Sequence, residues 1–91
     1  MTASLERKRI LCVDDHEDTR DMMRALLGEY GYEAVIAASV SDALKSAQSG
    51  GLALCILDHW LTESDGIKLC QRIRAFDSDT PIMFYSGAGR S

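Results

Sequence analysis

The sequence predicts an α/β fold, a parallel β-sheet with helices packed on both of its faces. Three observations carry this. Four short apolar runs alternate with segments of helical period along the chain. The runs Ile10-Leu11-Cys12-Val13 and Leu52-Ala53-Leu54-Cys55-Ile56-Leu57 are continuously apolar, the pattern of strands covered on both faces rather than one. The resulting order β-α-β-α-β-α-β implies right-handed crossovers and a single parallel sheet.

The first strand, residues 9–13, leads into a helix over residues 17–30 whose apolar stripe is Met23, Leu26, Leu27 and Tyr30. Asp14, Asp15, Glu17 and Asp18 crowd the start of that helix, where acidic side chains cap it and complement its dipole. Gly31 closes it. Residues 32–38 read as the second strand, and Ser39 or Ser41 can cap a short helix that runs to about Gln48 before Gly50-Gly51 breaks it. The third strand is residues 52–57. Asp65 and Gly66 open a further helix with Ile67, Cys70 and Ile73 on its apolar face and Leu69 and Phe76 alongside. After the polar turn Asp77-Ser78-Asp79-Thr80, Pro81 starts the fourth strand, where its missing N–H does least harm. Ser86-Gly87-Ala88-Gly89 leaves that strand as a loop of small residues.

Composition bounds the function classes. A chain of 91 residues with 46% apolar and 26% charged residues reads as one domain, residues 1–91, with no linker, repeat or low-complexity segment. The net charge of −4 offers no basic footprint for nucleic acid or anionic lipid. Arg7-Lys8-Arg9 reads as a solvated lead-in to the first strand. With no apolar stretch of membrane-spanning length and no signal segment at the start, a cytoplasmic location is expected. Cys12, Cys55 and Cys70 lie far apart without a Cys-x-x-Cys pair, so they read as buried reduced thiols that pack as small hydrophobes.

The chemistry sits at the strand ends. The first run finishes on Asp14-Asp15 and the third on Asp58, and in open α/β sheets the carboxyl ends of the strands are where ligands bind. Asp14-Asp15 alone reads equally as a helix start signal or as a metal site. Asp58 at a neighbouring strand end favours the site, because clustered carboxylates repel unless a hard cation such as Mg²⁺ neutralises them. His16 and His59 each follow a strand end, so a transition metal held by both is a weaker alternative without a recognised ligand spacing. Met22 and Met23 read as helix-face residues, one of them in the core.

Taken in order, Val13-Asp14-Asp15, Leu57-Asp58, Asp65-Gly66 and Pro81-Ile82 leading to Ser86-Gly87-Ala88 resemble the receiver domain of two-component response regulators. The resemblance runs from Arg9 to Gly89. It implies a flavodoxin-like, CheY-like topology with sheet order 2-1-3-4, and a last strand and flanking helices that would lie beyond Ser91. It further implies that Asp58 is the phosphoacceptor for a sensor histidine kinase or phosphotransfer protein. Asp15 and Asp58 would hold Mg²⁺ directly, Asp14 through water, and Trp60 through its backbone carbonyl. Ser86 would contact a phosphoryl oxygen, with Gly87 leaving room and offering a backbone N–H. The family's pairing lysine and switch aromatic have no counterpart here, and Thr62 stands where the family often has proline. Trp60, bulky for its place, is expected to shield the phosphoryl group from water or, alternatively, to anchor an interface.

The function so implied is a phosphorylatable switch that turns over no external substrate. The alternative is a non-phosphorylated module of receiver shape used for docking or dimerisation through the exposed fourth-strand region, since Ile82 to Tyr85 would lie at an open sheet edge. On this reading either the native chain continues or that edge pairs with another molecule. A metal-dependent phosphohydrolase built on Asp58 is disfavoured because its mechanism asks for a general acid where Trp60 stands. A dinucleotide-binding fold is disfavoured because the turn after the first strand is acidic and lacks a glycine-rich loop.

Overall fold

The computed structural model describes residues 7–61 and 65–85. Its elements are β1 (Arg9–Val13), α1 (Glu17–Glu29), β2 (Glu33–Ala37), α2 (Val40–Ser49), β3 (Leu52–Asp58), α3 (Gly66–Arg74) and β4 (Ile82–Tyr85). The strands form one parallel sheet in the order β2-β1-β3-β4. Each predicted element is present, with its ends moved by a residue or two where the ladder hydrogen bonds stop.

The main buried cluster lies on one face of the sheet, while Ile10 and Cys12 of β1 are buried on the other. Leu11 and Val13 of β1 and Cys55 and Leu57 of β3 meet Val40, Ala43 and Ala47 of α2 and Leu69 and Ile73 of α3. Small residues on α2 let it lie close to the strands, and Ser39 Oγ caps it by accepting the backbone N–H of Asp42 at 3.2 Å. Burial pushes the thiols of Cys12 and Cys55 up to about 11, which fits inert packing residues.

Two helix faces differ from the sequence reading. On α3 the residues that reach the core are Gly66, Leu69 and Ile73, while Ile67 and Phe76 stay exposed. The i, i+4 pair Leu69/Ile73 points at the sheet, and Cys70 packs beside it half-buried. On α1 no residue is buried. Met23 and Leu27 are half-buried, but Met22, Leu26 and Tyr30 face solvent. This helix packs along β1 and β2. Among the described residues no second helix lies beside it, so only the inner edge of its stripe is covered. β4, by contrast, lies at an edge of the sheet as expected, with Met83 and Phe84 exposed.

Register decides what meets at the carboxyl edge. Val13 pairs with Leu57, and Asp58 pairs with Tyr85. One further step along β1 therefore sets Asp14 level with Asp58, and Tyr85 stands on the far side of Asp58. A shift in the β1–β3 register between Arg9 and Ile10 establishes this alignment from the opposite end of the pair.

Candidate metal and phosphoacceptor site

The third strand delivers Asp58 to the sheet edge with none of its surface exposed. Its Oδ1 accepts the backbone N–H of Trp60 at 3.1 Å. Beyond it Trp60 forms a bridge with Asp65, and the Gly66 N–H donates to the His59 carbonyl at 3.0 Å. Gly66 also backs directly onto the acceptor strand. A Cβ at that position would lie 2.5 Å from the backbone oxygen of Asp58, a distance that tolerates only hydrogen. Asp65 caps α3, its Oδ1 accepting the Lys68 N–H at 2.8 Å.

Asp14 leaves β1 almost fully buried and is bonded through both of its carboxylate oxygens. Its Oδ1 accepts the His16 backbone N–H at 2.7 Å, and its Oδ2 accepts the Tyr85 hydroxyl. Arg20, one turn into α1, donates to the Asp14 carbonyl at 3.0 Å. Burial, followed by the Asp14 carboxylate, pushes the Tyr85 phenol far above its ordinary value, so it remains a donor. Asp14 therefore acts as a bonded link between strand ends rather than as a helix cap. The N-cap of α1 is His16, whose side chain makes no cap hydrogen bond.

One ligand atom each from Asp14, Asp15, His16 and Asp58 lies within 4.8 Å of all the others. At such separations two carboxylate charges repel by about 3–4 kcal/mol at an effective dielectric of about 20. A divalent cation offsets this directly, and a set dominated by carboxylate oxygens suits Mg²⁺. The donor set therefore fits the ion that the sequence led one to expect.

The structure thus brings Asp14, Asp15 and Asp58 together as read from the sequence. Ser86, Gly87 and Thr62 lie outside the described residues. Trp60 is 54% exposed, its ring edge-on to His59 with centroids 4.6 Å apart. The two histidines separate: His16 joins the carboxylates, while His59 lies among Trp60 and Phe84. The sequence reading did not include Tyr85, Arg20 or the contact at Gly66. Tyr85 was visible only as an apolar strand residue, and nothing local marked Arg20.

Comparison with known proteins identifies the surroundings of this site. The model of the response regulator receiver domain matches residues 10–91. The probable transcriptional regulator ycf27 of Cyanophora paradoxa is 35% identical over 85 residues, which cover 93% of this chain and 35% of the relative. The chain thus spans about a third of that relative's length. The response regulator protein TrrA of Thermotoga maritima, solved in complex with Mg²⁺-BeF, superposes with a TM-score of 0.82 at 34% identity, covering 90% of this chain and 71% of TrrA. TrrA solved in complex with the histidine kinase ThkA superposes at 0.81 with 35% identity, covering 92% and 74%.

Proposed function

The chain belongs to the response regulator receiver domain family, and from that premise we propose that it accepts a phosphoryl group on Asp58 from a phosphohistidine of a sensor kinase or phosphotransfer protein. The observation that carries this is the joining of a fully buried Asp58 to Asp14 and Asp15 at the carboxyl edge of a parallel sheet. The kinase complex of TrrA supports the class of donor. In the transfer an Asp58 carboxylate oxygen attacks phosphorus, the P–N bond to the donor imidazole breaks, and the imidazole nitrogen keeps the electron pair and takes up a proton. Mg²⁺, when bound, would relieve the repulsion between carboxylate and phosphoryl oxygens and stabilise charge in the transition state.

The chain's own residues do the positioning. Asp15 and Asp58 would hold the cation, with Asp14 orienting it through water and the Trp60 carbonyl adding a ligand. Tyr85 and the His16 N–H fix Asp14, so that the cation meets a carboxylate already aimed. The Trp60 N–H fixes one oxygen of Asp58. Ser86 and Gly87 would receive the phosphoryl oxygens. The domain modifies itself and releases no product of an external substrate, so its output is the rearranged edge of the sheet. We place it in the cytoplasm, and among the described residues no helix is long and apolar enough to cross a membrane.

The test is intact mass after incubation with Mg²⁺ and a small-molecule phosphodonor such as acetyl phosphate. One phosphoryl group is expected on the wild type, and none on Asp58→Asn or without Mg²⁺. A chain that binds Mg²⁺ and stays unmodified would overturn the acceptor role.

A further inference from the structure

His16 occupies a place where its backbone and its ring do different things. It is the N-cap of α1, in extended conformation, yet its side chain does not serve the helix. The ring instead turns back over the strand end. Its Nδ1 lies 3.0 Å from Asp14 Oδ1 and 3.1 Å from Asp15 Oδ1. The side chain is 55% exposed, so the imidazole stands at the solvent mouth of a carboxylate cluster that is otherwise mostly buried. His59 follows the next strand end in the same way, but it packs on Trp60 and Phe84. Among the described residues the cluster therefore holds three carboxylates and one imidazole.

That composition matters for the choice of cation. Mg²⁺ prefers oxygen, whereas an imidazole nitrogen favours the borderline divalent ions, with Zn²⁺ among them. Carboxylates at the same distance accept either class. We propose that His16 is a specificity-determining ligand: through Nδ1 it lets the site take a Zn²⁺-class cation, in competition with Mg²⁺ for the same carboxylates. This rests on the metal-site reading given above. The occupant of the site would then depend on which ion is available, and a borderline ion held by His16 would stand where Mg²⁺ is needed for phosphoryl transfer.

Calorimetric titration of the chain under reducing conditions with ZnCl₂ and with MgCl₂, alone and in competition, tests this. The sequence has two histidines, so ¹⁵N imidazole spectra resolve His16 from His59. Zn²⁺ is expected to shift the His16 Nδ1 resonance and to be displaced by excess Mg²⁺. His16→Ala is expected to weaken Zn²⁺ by about tenfold or more while changing Mg²⁺ affinity less than about twofold, and Asp58→Asn is expected to weaken both. Equal Zn²⁺ affinity in His16→Ala, or an unshifted His16 Nδ1, overturns the role of His16 and leaves the Mg²⁺ site standing. Failure of the wild type to bind either ion removes the metal-site reading itself.

Discussion

Gly66→Ala isolates the coupling between the helix that starts after the acceptor loop and the strand that carries the acceptor. The added Cβ would fall 2.5 Å from the Asp58 carbonyl oxygen and 3.3 Å from the His59 Cα. Both contacts are to backbone, so no side chain can rotate aside. Restoring ordinary contact requires moving α3 or the end of β3 by about 0.9 Å or more, a change of the kind that costs about 1–3 kcal/mol in a packed interior. The better helix propensity of alanine returns at most about 1 kcal/mol. The net expectation is a loss of about 1–2 kcal/mol, a fall in Tm of roughly 5–10 °C for a domain of this size. Urea and thermal unfolding followed by far-UV circular dichroism read the stability, and phosphoryl incorporation at saturating Mg²⁺ reads the site. Incorporation should slow as well, since the displaced strand end carries Asp58. Gly28→Ala is the internal control. Its Cβ meets nothing within 4 Å, so it should leave stability unchanged or raise it by up to about 1 kcal/mol. If Gly66→Ala proves as stable as the wild type, the close approach to Asp58 does not constrain the fold and the reasoning is wrong.

Three further outcomes are expected. Tyr85→Phe removes a hydroxyl donor from the buried Asp14 carboxylate and should cost about 1–3 kcal/mol; an unchanged urea midpoint would show that Asp14 is not held by it. Asp77 is held below the ordinary carboxylate value first by the Thr80 hydroxyl, then by the backbone N–H groups of Thr80 and Asp79. A depressed folded-state pKa contributes stability that is present above the unfolded value, near 3.8, and lost as pH falls through the folded one. Thr80→Val should therefore flatten the acid limb of the stability–pH curve, and an unaltered limb would count against this turn. Trp60→Asn should speed hydrolysis of the acyl phosphate in a mass-resolved decay, whereas an unchanged lifetime would remove Trp60 as a water shield.

How much of this was legible in the residues depends on the range over which each signal acts. Period and punctuation are local, so Ile10 to Val13, Leu52 to Leu57 and the breaks at Gly31 and Gly50-Gly51 declared the alternating elements. Parallel strands finish at one edge, so the ends of β1 and β3 share it, and the pairing of those two strands brings Asp14, Asp15 and Asp58 together. The sequence by itself therefore determined the layers, the edge and its charge. Tertiary structure decided the partners. Only register puts the Tyr85 hydroxyl onto Asp14 from two strands away. Only the docking of α3 makes the hydrogen of Gly66 indispensable, and the same docking selects Leu69 and Ile73 over Ile67 for the core. His16 and His59 look alike in the chain, yet one ring folds over carboxylates and the other onto aromatic neighbours. A local pattern states what a residue can offer, whereas its use depends on groups that arrive from elsewhere in the chain.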